Sequence, residues 1–65
     1  MTLKQARIKA GITQRQASER INKTVMTLQR YESGKTDMNA KDFMTLCKFY
    51  GVSPNDITLL YSEGE

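Results

Sequence analysis

Residues 13 to 34 read TQRQASERINKTVMTLQRYESG, and this stretch predicts two short helices joined by a tight turn. Thr13 offers a hydroxyl to an orphan amide of the first helix, and Gln16 stands at the capping-box position. Ala17 and Ile21 fall four apart on one helical face, with small Ser18 beside them. Asn22-Lys23 breaks the period. Asparagine is the non-glycine residue that most readily takes a positive φ, so a sharp turn costs little there. Thr24 offers a second cap, Leu28 and Tyr31 mark the inward face of the next helix, and Gly34 suits the left-handed residue that ends it.

The flanks extend the same logic. Thr2, with Gln5 at the box position, caps a helix from Leu3 to about Ala10, on which Leu3, Ala6, Arg7 and Ala10 share a face. Arg7 on that face needs a partner, because an unpaired buried charge is very costly, unless it is simply a surface charge. Gly11 ends the helix and Ile12 turns the chain inward. The two helices of the central stretch span Gln14–Ile21 and Val25–Ser33. Asn39 starts a fourth, Ala40 to Tyr50, with Phe43, Leu46, Cys47 and Tyr50 on one apolar face and Gly51 as its cap. Ser53, Pro54 and Asp56 have the cap, first-position proline and first-turn acid of a fifth helix, facing Ile57 and Leu60 inward. Leu59 and Tyr61 point elsewhere, either as plain exposure or as half of a dimer interface. The expectation is an all-α, five-helix single domain over residues 1–65, with its core at about 3–60 and a frayed acidic tail at 62–65.

At these residues the chain resembles the helix-turn-helix of Cro- and CI-like phage repressors and their bacterial relatives, the XRE-type regulators. The match continues in KAGITQ before the motif, RYESGK closing it and LCKFYGVSPNDI after it, covering about Leu3 to Leu60. The resemblance implies a compact lambda-repressor-like DNA-binding domain whose third helix enters the major groove. It implies that the arginine at position 7 pairs with Glu32, locking the first helix to the third. It places Thr24, Val25, Met26, Thr27, Gln29, Arg30 and Ser33 outward. Of these, Val25, Met26, Thr27, Gln29 and Arg30 are the base-reading candidates. Arginine suits guanine O6 and N7, glutamine suits adenine N6 and N7, and apolar groups pack on the thymine methyl. Val25 also shares a stripe with Leu28 and Glu32, which gives it an alternative place at the core edge. Gln29 lies farther along and has backbone or water as alternative partners.

Phosphate contacts are implied for Gln14, Arg15, Thr24, Ser33, Lys35, Thr36 and Asn39. Gln14 and Arg15 sit at a helix N-terminus, where free amides already favour an anion. Several positions depart from the family pattern, Cys47 among them, at a place that is usually alanine. Ala17 replaces a larger apolar residue, Lys23 a Val or Ile, and Met38 the usual proline, while Asp37 has the wrong sign for a phosphate clamp. Lys23 can lay its stem on the core and keep its ammonium in water.

Composition narrows the function. Sixty-five residues hold one small core and leave no room for a ligand-sensing domain. The opening Met1 fits a natural start. One cysteine and no histidine exclude an internal disulfide and a zinc cluster, and leave Cys47 without the base a catalytic thiol needs. We read Cys47 as a small buried hydrophobe. TQRQAS and ESGK do not match a P-loop, so an enzyme is rejected. With no signal core and no apolar run of membrane length, the expectation is a cytoplasmic protein.

The net charge of +3 is unevenly spread: residues 1–35 carry +6 and residues 36–65 carry −3. A basic half around the third helix suits a polyanion, although single lysines on such faces are often merely solvated. The expected partners are a double-stranded DNA operator and a second copy of the chain, at least on DNA, with no cofactor, metal, membrane or small-molecule ligand. The alternative is a protein-interaction module such as an antitoxin on the same fold.

Overall fold

The computed structural model describes residues 1–58. Within them lie four α-helices and no strand: α1 (Leu3–Lys9), α2 (Gln14–Arg20), α3 (Val25–Ser33) and α4 (Ala40–Tyr50). No helix among the described residues is long and apolar enough to cross a membrane.

Helices of seven to eleven residues are marginal alone, so caps and packing must hold them. Each starts on a polar cap with extended backbone. Thr2 and Thr13 form full capping boxes with Gln5 and Gln16. Thr24 and Asn39 accept the amides of Thr27 and Asp42. All four helices end alike, with a left-handed residue followed by an amide that reaches back to a carbonyl of the last turn. These bonds are Ile12 to Arg7, Lys23 to Ser18, Lys35 to Arg30 and Val52 to Cys47, at 2.9–3.1 Å. Three of the left-handed residues are glycine. The fourth is Asn22, at φ +59°, and it forms the α2–α3 turn.

The core gathers Leu3 and Ala6 from α1, Ala17 and Ile21 around α2, Leu28 and Tyr31 from α3, and Leu46 and Tyr50 from α4. Cys47 is buried beside them. Ile12, Met38, Phe43, Val52 and Ile57 close its edges as half-buried residues. Ala17, Leu28 and Leu46 have no accessible surface at all. The small Ala17 side chain therefore sits in a closed seam, with α2 packed against both α3 and α4. Truncating Leu28 or Leu46 to alanine removes such packing, at a typical cost of about 2–5 kcal/mol.

Two expectations are corrected. Ala10 is exposed at the α1 C-cap, past the last helical residue, Lys9, and takes no part in the core. In place of the start of a fifth α-helix there is a single 3-10 turn, Pro54–Asp56, after which Ile57 is extended. The cap and proline signals do start a turn, but its backbone groups find other partners. The Met1 ammonium donates to the Asp56 carbonyl at 2.9 Å, and the Thr58 amide donates to the Met1 carbonyl at 2.7 Å. Leu59, Leu60, Tyr61 and the acidic tail lie outside the described residues.

Candidate nucleic-acid interface

α3 has two faces. Leu28, Tyr31 and Glu32 are buried, whereas Met26, Gln29, Arg30 and Ser33 are exposed at spacings of three, one and three. That spacing is one continuous stripe along the outer side of the helix. Met26 is 62% exposed, so a large apolar side chain stands in water at the front of the stripe. Val25 and Thr27 are half-buried, and the Thr27 hydroxyl lies 3.0 Å from that of Thr24. They flank the stripe rather than lead it.

The back of α3 is fixed by a polar network. Arg7 Nε donates to Glu32 Oε2 at 2.7 Å, with the two side chains only 9% and 5% exposed. Arg7 Nη1 also donates to the Ile12 carbonyl at 3.0 Å, tying α1 to the turn that follows it. The other carboxylate oxygen, Glu32 Oε1, accepts from Gln14 Nε2 at 3.2 Å. Gln14 Oε1 in turn accepts from Gln29 Nε2 at 3.2 Å. One chain of hydrogen bonds thus runs from buried α1 to the exposed face of α3. It orients Gln29 before any ligand arrives.

Two further side chains belong to this scaffold. The Tyr31 hydroxyl donates to Asp42 Oδ2 at 3.2 Å, joining α3 to the start of α4. Burial first, then the Asp42 contact and charge, push the Tyr31 hydroxyl above its ordinary acidity range. Asp42 is only 6% exposed, which composition did not reveal. Its spacing four residues before buried Leu46 was the available signal. Tyr50 is also buried, and its hydroxyl has no hydrogen-bond partner among the described residues. Its pKa is pushed far up, chiefly by burial and then by the Glu32 charge. The Cys47 thiol is buried and likewise pushed up, the opposite of a reactive thiolate.

The flanks of the stripe supply cations and donors. Arg15 is exposed at the first turn of α2 and pairs with Glu19 at 3.6 Å, both side chains more than two-thirds exposed. Such an exposed pair contributes under about 1 kcal/mol. Beyond α3, Lys35, Thr36, Asp37 and Asn39 are exposed, while Met38 is half-buried and anchors the loop on the core. The Lys35 amide is already spent on the Arg30 carbonyl, so its ammonium is the group left for a ligand. Asn39 caps α4 through Oδ1 at 2.7 Å and leans its amide on Asp42 at 3.4 Å, which leaves one amide N–H without a partner among the described residues.

A helix-turn-helix family model matches residues 3–57, from the start of α1 to the residue after the 3-10 turn. No curated protein and no solved structure matches the chain.

Proposed function

Because the chain belongs to the XRE-type helix-turn-helix family of DNA-binding transcription regulators, we propose that it is a sequence-specific repressor that lays α3 in the major groove of an operator. The observation that carries this reading is the Met26–Gln29–Arg30–Ser33 stripe on a helix whose other side is buried and ion-paired. Arg30 and Gln29 have the donors that read guanine and adenine, and Met26 has the apolar surface that packs on a thymine methyl. Val25 and Thr27 are base contacts at the groove edges. Gln14, Arg15, Thr24, Ser33, Lys35, Thr36 and Asn39 take phosphates on either side, positioning the helix without reading sequence.

Two copies bind a palindrome, with half-sites about one helical turn (~34 Å) apart. Repression is occupancy, a bound dimer covering promoter sequence that polymerase needs. Selection from a randomised duplex library at two salt concentrations tests the reading. A two-fold enriched sequence is the expected result. Salt-sensitive binding without any enriched sequence would leave only backbone attraction and would sink the specific-repressor proposal.

A further inference from the structure

A second cationic surface lies away from the outward stripe of α3, in the cleft between the end of α2 and the start of α4. The cleft encloses about 420 Å³ and is lined by Arg20, Asn22, Lys23, Asn39 and Lys41, among others. Its three cations come from three separate places: α2, the α2–α3 turn and the first turn of α4. All three are exposed, and none is in an ion pair among the described residues. The Arg20 guanidinium sits 5.5 Å from the centre of the Phe49 ring, which holds its charge in place. The one acid on the wall, Asp42, is buried and engaged by Tyr31 and Asn39.

A concave surface with three unpaired cations and side-chain amides selects a chain of phosphates rather than a neutral ligand. Asn39 belongs both to this cleft and to the loop that follows α3, so the two surfaces are continuous. We propose that the cleft is an additional phosphate track. DNA backbone leaving the Lys35–Asn39 loop continues between Lys41 and Lys23, which extends the footprint beyond the half-site that α3 reads. This inference rests on the DNA-binding reading above, and its test separates the two.

The full chain is titrated with a mixed-sequence duplex long enough to overhang it on both sides, over a range of salt concentrations. Lys23→Gln and Lys41→Gln are each expected to lower the slope of log affinity against log salt by about 0.9, and the double variant by about 1.8. Lys48→Gln, in the last turn of α4, is expected to leave the slope unchanged. The bases enriched in library selection are expected to stay the same in all four proteins. Unchanged slopes in both lysine variants would overturn the track and leave the cleft to an acidic protein partner. An equal drop in Lys48→Gln would also overturn it, as a general charge effect. Absence of salt-dependent duplex binding by the unsubstituted chain would remove the DNA-binding reading itself, and the track with it.

Discussion

Arg7 and Glu32 lie 25 residues apart in the chain, yet Arg7 Nε is 2.7 Å from Glu32 Oε2 in a nearly dry setting. The pair joins the first helix to the end of the third and also carries Gln14 on its free oxygen. Breaking such a pair from one side leaves a buried charge without compensation. Glu32→Ala is therefore expected to cost ~3–5 kcal/mol in urea unfolding. The double variant Arg7→Met with Glu32→Leu is expected to recover much of that, because neither charge remains to be desolvated. A loss under ~1 kcal/mol for Glu32→Ala would show that the pair behaves as a solvated surface contact.

Tyr50 presents the opposite case, a buried hydroxyl with no partner among the described residues. Removing an unpartnered hydroxyl forfeits no hydrogen bond, so Tyr50→Phe is expected to be neutral or to stabilise by up to about 1 kcal/mol. The same residue sets an alkaline limit. Its folded pKa lies above the ordinary value of 10.0, so the folded state keeps its proton while the unfolded chain ionises. Stability should be level in this respect below about pH 10. Above it, the Tyr50 contribution should fall by up to about 1.4 kcal/mol per pH unit. Tyr31, raised in the same direction, adds to the decline. Tyr50→Phe should make the fall shallower, measured as the urea midpoint from pH 9 upward. An unchanged slope would mean that the Tyr50 hydroxyl is solvated.

Asn22 is the only non-glycine residue with positive φ among those described, at +59°. A left-handed conformation costs an ordinary L-residue about 1–2 kcal/mol, and asparagine less. Asn22→Ala is expected to lower the thermal midpoint by the equivalent of about 1 kcal/mol, whereas Asn22→Gly should stay within a few tenths of the starting protein. Equal losses in both would indicate that the Asn22 side chain, rather than the backbone conformation, holds the turn.

The sequence was most legible where local backbone chemistry decides the outcome. Thr2, Thr13, Thr24 and Asn39 cap their helices, and Gly11, Asn22, Gly34 and Gly51 end them, because a cap or a left-handed residue needs only near neighbours. The bounds of α3 and α4 follow from the same signals. Where long-range partners compete, local signals were insufficient. Ser53 and Pro54 start a turn, but Met1 takes the backbone groups beyond it, a contact 55 residues away in the chain. The resemblance implied that Gln14 buttresses the third helix, but its partner there, Gln29, depends on how α2 crosses α3 and was not legible. Asp42 is buried because Tyr31 and Asn39 hold it, contacts that its place in the charge count does not show.

Gln14 tests whether that tie matters for reading. The residue stands between buried Glu32 and exposed Gln29, bonded to both at 3.2 Å. Gln14→Ala frees Gln29 to adopt several rotamers, so preference at the base that Gln29 faces is expected to relax although alanine adds no clash. The accompanying stability loss should be about 1 kcal/mol, the scale of a part-exposed hydrogen bond. Selection from the library reads the first effect and urea unfolding the second. Retained base preference would mean that Gln29 is oriented by DNA alone.

Arg30 and Lys35 separate reading from positioning. Both are exposed, but Arg30 lies on the α3 stripe and Lys35 lies in the loop beyond it, with only its ammonium free. A bidentate contact to guanine discriminates by about 1–3 kcal/mol, so Arg30→Ala should lose that much on the selected operator and relax one base position. A phosphate contact carries no sequence information. Lys35→Ala should therefore weaken every duplex alike and lower the salt slope by about one unit. The two variants are compared by titrating the selected operator and a scrambled duplex at several salt concentrations. If Arg30→Ala weakens both duplexes equally, as Lys35→Ala should, then Arg30 is a backbone contact and sequence reading falls to Met26 and Gln29, with Val25 and Thr27 at the edges.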